Sequence, residues 1–451
     1  MTRVAVVGGG ISGLTAAYDL LRAGADVVVY EADDRLGGKI ESKPFGGLPA
    51  VDCGADAFLA RVPAAAELCR DLGFRDELIS PANGSAFIWS RGALRRVPTP
   101  NFLGVPLDID TLAASGIVSE EGVARAALDM TRVADDALPV GDESVGALVR
   151  RRMGDEVLER LVDPLLGGIY AGDADRLSLE AGAPQVAAAA RADASLSRGL
   201  DALRRASIVD PHTPVFYAPP DGMSRLVQEL AVRLGERVHR GHRVARLERG
   251  LRGWSVDGTM HDSVVLATPS FVTAELVRDE APRTARALDG IEYAGVVLVT
   301  FAFPRDGVGR PLDASGFLVP KTEGRLLTAC SWSSSKWAHL DRGEHTIVRA
   351  SAGHFGNERA LALGDDALIR AMVEELAEMM AVRAQPIDAR ISRWPRAFPQ
   401  YTPGHLDRIA ALDATLATEA PGIALAGAAY RGIGIPACIN QAHAAAAAAT
   451  A

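Results

Sequence analysis

Gly8, Gly10 and Gly13 form a GxGxxG run within Gly8-Gly9-Gly10-Ile11-Ser12-Gly13, and Glu31 follows eighteen residues after the last of them. Glycines at this spacing bring backbone N–H groups up to a phosphate. Gly8 allows a tight turn, Gly10 lets the main chain approach a pyrophosphate, and Gly13 lets a helix pack closely on a strand. Gly9, Ile11 and Ser12 complete the phosphate turn and open the helix. Glu31, followed by Ala32, is placed to accept hydrogen bonds from an adenosine ribose. A glycine turn that binds nothing is the bland alternative.

Such a site needs a strand, turn, helix and strand to hold it. Val4 to Val7 is a β-branched run, Leu14 to Arg22 follows helical periodicity up to Gly24, and Ala25 to Tyr30 is a second β-type run ending on Glu31. Arg3 followed by uncharged Val4 to Tyr18 has the outline of a signal peptide, but the glycines at 8, 9, 10 and 13 argue against that reading.

The rest of the chain bounds the possibilities. At 451 residues it is expected to fold as two or three packed units, and 48% hydrophobic with 23% charged residues is a globular composition. A net charge of −9 argues against a dedicated nucleic-acid binder. Cys53, Cys69, Cys330 and Cys438 lie far apart with no CxxC, which supports neither a disulfide framework nor a zinc ribbon. His239 and His242 have metal-like spacing, yet Arg240 and Gly241 between them read as a polar turn, so no metal is expected. No uncharged apolar run reaches the roughly 20 residues needed to span a bilayer, so the expectation is a cytoplasmic chain with at most a peripheral membrane contact.

Asp34-Arg35-Leu36-Gly37-Gly38-Lys39 adds a second glycine pair and two cations beside the same phosphates. It resembles the second glycine doublet of the glutathione-reductase-like flavoproteins, where that run contacts FAD. Arg35, Gly38 and Lys39 are therefore expected at the cofactor, with a solvated basic turn as the alternative. Val51 to Phe58 resembles the segment that approaches the isoalloxazine in the amine-oxidase-like branch, which implies contacts from Gly54, Ala55, Asp56 and Ala57. Ser224 to Leu234 reads as an amphipathic helix, and Arg243 to Glu248 and Trp254 to Val256 read as strands. Ser263 to Pro269 resembles the strand that re-enters an FAD domain. Val244 then stands by the adenine through its backbone, or is simply a buried strand valine. Near the C-terminus, Pro436 suits a first helical position, and the resemblance puts Gly427, Ile433, Gly434 and Ile435 at the N1/O2 edge of the flavin.

With the run from Arg393 to His405 and the Ser334 to Trp337 segment, the chain resembles the bacterial protoporphyrinogen/coproporphyrinogen oxidase family of haem biosynthesis over almost its whole length. The resemblance implies an α/β fold: a Rossmann-like FAD-binding domain, a mixed-sheet substrate domain and a helical insert. The FAD domain would comprise residues 1–78, 215–270 and 393–451, the substrate domain 79–110 and 271–392, and the insert 111–214. Trp394 would lie at the cofactor. Gly168, with Tyr170 nearby, would offer its carbonyl to a pyrrole N–H, although 164–172 reads equally well as a helix-breaking loop. Lys336 beside Trp337 is the candidate to hold a substrate carboxylate, or else an ordinary solvated lysine. Arg431 is the second candidate, or else a structural pair for a nearby acid. One departure stands out: some eukaryotic relatives have an arginine ahead of the strand matching Phe87 to Leu94, where this chain has Ser85 and Ala86.

The implied activity is the oxygen-dependent oxidation of coproporphyrinogen III to coproporphyrin III with release of hydrogen peroxide. FAD would carry the chemistry, and no side chain is expected as an acid–base catalyst. Alternatives are protoporphyrinogen IX oxidation, amine oxidation, and a non-catalytic porphyrin-binding flavoprotein. The expected partners are the porphyrinogen and O2, with a homodimer and hand-over to a ferrochelatase left open.

Overall fold

The computed structural model describes residues 1–133, 141–206 and 213–451. Two sheets carry the architecture. In chain order their strands are β1 (Arg3–Val7), β2 (Asp26–Tyr30), β3 (Phe87–Ser90), β4 (Ala93–Arg96), β5 (Val238–His239), β6 (Ser263–Leu266), β7 (Tyr293–Pro304), β8 (Gly316–Leu318), β9 (Leu327–Ser331), β10 (His345–Ala352), β11 (Asp388–Pro399) and β12 (Ile423–Leu425). The helices that position the site are α1 (Ile11–Arg22), α2 (Asp163–Tyr170), α3 (Ser224–Leu234), α4 (Pro282–Asp289), α5 (Asp365–Met380), α6 (His405–Glu419) and α7 (Ile435–Thr450).

The first sheet has the order β5-β2-β1-β6-β12, and its pairings are parallel. A parallel sheet has to be covered on both faces, which is why its strands read as continuous apolar runs. Val4, Val6, Val27, Val29 and Val265 pack into the core shared with α1, α3 and α7. Ala5, Val7, Val264 and Leu266 face the other way, toward Ile409, Leu412 and Leu416 of α6. The chain leaves this unit and re-enters it, so the strands come from three separated stretches.

The second sheet, β11-β7-β10-β9-β8-β3-β4, is mixed: β8 pairs parallel with β3, while its other neighbours are antiparallel. One face, including Val297, Val299, Phe317, Cys330 and Ala350, is packed under Leu368, Met372 and Leu376 of α5. The other face is turned toward the first unit. The single strand expected from Phe87 to Leu94 is instead the hairpin β3–β4, with Ser90 opposite Ala93. Its two-residue turn puts Arg91 at φ 55° and Gly92 at φ 73°. Both signs suit a hairpin turn, but arginine at the first position is a poor advertisement for one.

Helices between Ile109 and Ala206 gather around a core of their own, with Leu112, Leu148, Leu161, Leu166 and Leu200 at its centre. Within the expected insert, residues 134–140 and 207–212 lie outside the described residues. The helix-breaking loop expected at 164–172 is replaced by α2, which runs to Tyr170 and stops at Ala171 with φ 47°. Pro164 is accommodated because it follows directly on a π turn, Leu158–Val162, where the regular i→i−4 ladder is already interrupted. The strand expected over 243–248 is also shorter: Leu247–Arg249 pairs with Trp254–Val256, and Val244 stays outside it. The boundary expected at residue 393 falls inside β11, whose pairing with β7 continues to Pro399. Among the described residues, no helix is long and apolar enough to cross a membrane.

Glu419, the last residue of α6, caps α4 from outside. Its carboxylate accepts from the Arg283 and Thr284 amides at 3.2 and 2.9 Å, and from Arg283 Nε and Thr284 Oγ1 at 2.8 and 2.9 Å. Burial opposes the charge, but these donors outweigh it and bring the pKa down to about 2. Glu419→Ala is expected to lower the urea midpoint by an amount worth about 1–2 kcal/mol. Because the folded pKa lies below the ordinary value, that contribution is complete above the ordinary carboxylate range. It is lost as pH falls toward 2.

Candidate active site

At the start of α1 the glycines do different work. A Cβ on Gly8, at φ 108°, would lie 2.9 Å from the Ala267 carbonyl oxygen, and one on Gly13 only 1.8 Å from the Gly8 oxygen. Both positions are sealed by backbone. Gly10 is the opposite: an added Cβ there meets nothing within 4 Å. Ile11 and Ser12 are buried behind it. The second glycine pair docks directly on the first, with the Gly37 amide donating to the Gly9 carbonyl at 2.8 Å and Gly10 bridging to Gly37. Gly38 follows at φ 58°, its added Cβ 3.6 Å from Gly10 Cα.

Glu31 is held in place by two amides, Gly9 N at 2.6 Å and Asp33 N at 2.8 Å, while Ala32 between them is exposed. Arg35 folds back on its own loop, donating to the Gly38 carbonyl at 2.6 Å with Glu41 at 3.3 Å. Lys39 leaves the phosphate turn altogether: its ammonium donates to the Ala397 carbonyl on β11. It has no carboxylate partner among the described residues, and burial lowers its pKa. The Val244 side chain is 8% exposed, and its amide and carbonyl have no hydrogen-bond partner among the described residues.

The far end of the cleft is closed by the start of α7. Gly434 is its exposed N-cap, Ile435 and Pro436 form its first turn, and Ile433 is half-buried just before it. The N-terminus of a sixteen-residue helix carries a partial positive charge suited to an anion. Gly427, at φ 140°, has open space beside it. Tyr401, which the sequence did not single out, braces this loop: its hydroxyl donates to the Ala428 carbonyl and accepts from the Gly432 amide at 2.9 Å. Its ring stacks on His405 at 4.1 Å. His405 bonds the Tyr430 carbonyl at 2.8 Å, and burial lowers its pKa to about 4. Tyr430 is 1% exposed and so does not face the cleft. Arg431 is paired with Asp413, the structural alternative to a substrate cation.

The 51–56 segment is clasped by side chains of the second sheet. Arg390 donates to the Val51 carbonyl at 2.8 Å, Trp394 Nε1 to the Cys53 carbonyl at 2.9 Å, and Arg349 to the Gly54 carbonyl at 2.8 Å. A Cβ on Gly54 would lie 2.4 Å from the Lys39 oxygen and 3.4 Å from the Trp394 ring. Ala55 and Ala57 are half-buried on either side of Asp56. Asp56 is ion-paired to Lys336 at 2.9 Å and to Arg349 at 3.2 Å. Burial works against its charge, but the two cations outweigh it and hold its pKa below the usual carboxylate range. Lys336 is therefore not the free substrate cation expected. Trp337, 2% exposed with Nε1 3.4 Å from Asp56, is a core residue rather than a platform for a macrocycle.

Opposite this segment, Leu298, Ser351, Ala329 and Leu318 stand side by side across β7, β10, β9 and β8. They remain half-buried, whereas their neighbours on the reverse face, Val297, Ala350, Cys330 and Phe317, are at most 2% exposed. Half-exposed side chains in the middle of a sheet mark the wall of a cleft. The last turn of α2 meets that wall, with Gly168 exposed and its added Cβ 3.4 Å from Leu318. The Gly168 carbonyl, one of the last four of the helix, has no hydrogen-bond partner among the described residues. Tyr170 donates to the Gly182 carbonyl at 3.0 Å, and burial raises its pKa to about 12, so it stays neutral. His242 bonds Asp257 at 2.9 Å rather than sharing a ligand with His239. The cleft row was beyond sequence reasoning, because Leu298, Ser351, Ala329 and Leu318 are as neutral as the residues behind them, Val297, Ala350, Cys330 and Phe317.

These residues fit FAD. The sealed glycines set the turn, the open one leaves room for a pyrophosphate, Glu31 is oriented for a ribose, and the unpaired Val244 backbone suits an adenine edge. The flavin-containing amine oxidoreductase profile matches residues 11–450. The coproporphyrinogen III oxidase of Mycobacterium tuberculosis is 39% identical over 97% of this chain and 95% of its own length. That of Bacillus subtilis is 32% identical over 98% and 96%. A crystal structure from Exiguobacterium sp. 255-15, assigned provisionally as a protoporphyrinogen oxidase, superposes with a TM-score of 0.88 at 29% identity, covering 99% of this chain and 98% of that one. The chain belongs to the flavin-containing amine oxidoreductase family and, within it, groups with the coproporphyrinogen III oxidases.

Proposed function

We propose that this chain oxidises coproporphyrinogen III to coproporphyrin III in haem biosynthesis, with O2 as acceptor. Each macrocycle loses six hydrogens in three two-electron steps, and three O2 become three H2O2. The observation that carries the reading is the neutral cleft wall of Leu298, Ser351, Ala329 and Leu318, set against the unpaired Gly168 carbonyl. A flat, largely apolar macrocycle suits such a wall, and a pyrrole N–H suits such a carbonyl.

When bound, FAD supplies the acceptor for the hydride. The chain's own contribution is placement. The wall and α2 orient the ring and exclude water from its faces. The amides at the start of α7 favour negative charge where it develops. Lys336 and Arg431 already have acidic partners, so the substrate carboxylates are assigned to the mouth of the cleft, in contact with water. A cytoplasmic setting, a homodimer and delivery of the porphyrin to a ferrochelatase belong to the same proposal. So does the division into FAD, substrate and insert units, with the last boundary moved beyond Pro399.

Anaerobic mixing with coproporphyrinogen III should bleach the flavin, and air should restore the colour with peroxide release. Coproporphyrinogen III, the substrate in the names of the relatives at 39% and 32% identity, is expected to exceed protoporphyrinogen IX by roughly tenfold or more in kcat/KM. A spectrum unchanged by both porphyrinogens would overturn the function.

A further inference from the structure

Lys336 and Arg349 belong to the substrate-sheet side of the molecule, whereas Asp52 and Asp56 belong to the segment that passes the cofactor end of the cleft. The four groups form one buried cluster. Lys336 and Arg349 both pair with Asp56, and Arg349 also donates to the Gly54 carbonyl. Asp52 accepts from Ser42 Oγ at 2.6 Å and from the Met223 amide at 3.0 Å. A cavity of about 20 Å³ lies between Asp52, Asp56, Arg349 and His339, room for a single water. Asp56 answers both cations directly, whereas Asp52, whose pKa burial raises to about 6, is held by Ser42 and Met223 instead.

We propose that Lys336, Asp56 and Arg349 form a positioning device through which the substrate sheet fixes the Gly54–Ala57 backbone against the flavin. Lys336 acts through Asp56, not on a substrate carboxylate. Three donors from two strands of that sheet point the same way: Arg390, Trp394 and Arg349 donate to the carbonyls of Val51, Cys53 and Gly54. Backbone held by donors from one sheet keeps its distance to that sheet, and the cleft wall is on that sheet. The cluster therefore sets the spacing between the ring system and its substrate. The inference rests on the flavin reading of the site.

The test compares Lys336→Met with Lys336→Arg. In the apoprotein, Lys336→Met should speed hydrogen exchange at residues 53–58 and weaken FAD binding at least tenfold by fluorescence quenching. In the reconstituted protein the limiting rate of anaerobic flavin reduction should fall at least tenfold, with half-saturating porphyrinogen within twofold of wild type. Lys336→Arg should restore most of each. A Lys336→Met protein with normal exchange, FAD affinity and limiting rate but raised half-saturation would overturn the proposal.

If the single variant does not fold, the double variant Asp56→Asn with Lys336→Met removes both charges of that pair, while Arg349 keeps its hydrogen bond to the Gly54 carbonyl. Against Asp56→Asn alone it should differ by less than twofold in every readout. A further loss there would mean that Lys336 has a target other than Asp56, and would equally overturn the proposal. Wild-type protein that takes up no FAD would overturn the flavin reading itself, before any variant is compared.

Discussion

Gly10→Val is expected to give a folded, colourless protein. The backbone at Gly10 has φ −76° and ψ 179°, an extended conformation open to any side chain, and an added Cβ has nothing within 4 Å. The valine therefore costs the apoprotein little. It stands instead where the pyrophosphate must approach the amides of α1, and no rotamer of a β-branched side chain clears that space. Flavin content should fall below detection and porphyrinogen oxidation with it. The apoprotein should melt within a few degrees of wild-type apoprotein; comparison with holoprotein would mislead, because bound cofactor alone adds about 4 kcal/mol at a thousandfold excess over its Kd. A yellow, active Gly10→Val protein would sink the pyrophosphate assignment. Gly13 offers no such separation, since a Cβ there lies 1.8 Å from the Gly8 oxygen and disrupts the fold itself.

What was legible in the sequence was local. The β1–α1–β2 unit announces itself through period and punctuation, α3 occupies the span read from its apolar pattern, Ser224–Leu234, and β6 fills the first part of the stretch expected over Ser263 to Pro269, ending at Leu266. The second glycine pair was legible for the same reason, and its contact with Gly9 follows from chain continuity. What was not legible depends on partners far away. Lys336 and Asp56 stand 280 residues apart, and nothing near Lys336 in sequence says that its charge is already answered. Arg431 finds Asp413 on the far side of β12. Gly167 and Gly168 look like helix breakers, yet α2 forms because its buried face, Leu166 with Pro164 and Asp163, repays their lower helix propensity. The cleft wall is hidden for a different reason: Leu298 and Val297 are equally apolar, and only the helix laid on one face makes them different.

Tyr401 carries the second large expected effect, and it separates packing from placement. The residue is 1% exposed, its ring stacks on His405, and its carbonyl accepts from the Ser178 amide at 2.7 Å, so it joins the insert to the loop before α7. Tyr401→Leu discards the ring as well as the hydroxyl and is expected to cost about 3–5 kcal/mol of stability. Tyr401→Phe keeps the ring and removes only the oxygen between Ala428 and Gly432, leaving a carbonyl and an amide without their partner, a loss of about 1–3 kcal/mol. The phosphate turn is untouched, so flavin content should stay near normal. The loop carrying Gly427 to Gly434 is no longer pinned, and the amides that α7 offers to developing negative charge lose their fixed position. The limiting rate of flavin reduction should fall by roughly tenfold, which corresponds to about 1.4 kcal/mol of lost stabilisation, with half-saturating porphyrinogen little changed. Burial keeps the Tyr401 pKa far above its usual value, so the hydroxyl is a neutral donor throughout the working range and the loss should not vary with pH. A Tyr401→Phe protein that reduces its flavin at the wild-type rate would mean that the start of α7 is held by its own packing and owes nothing to this hydroxyl.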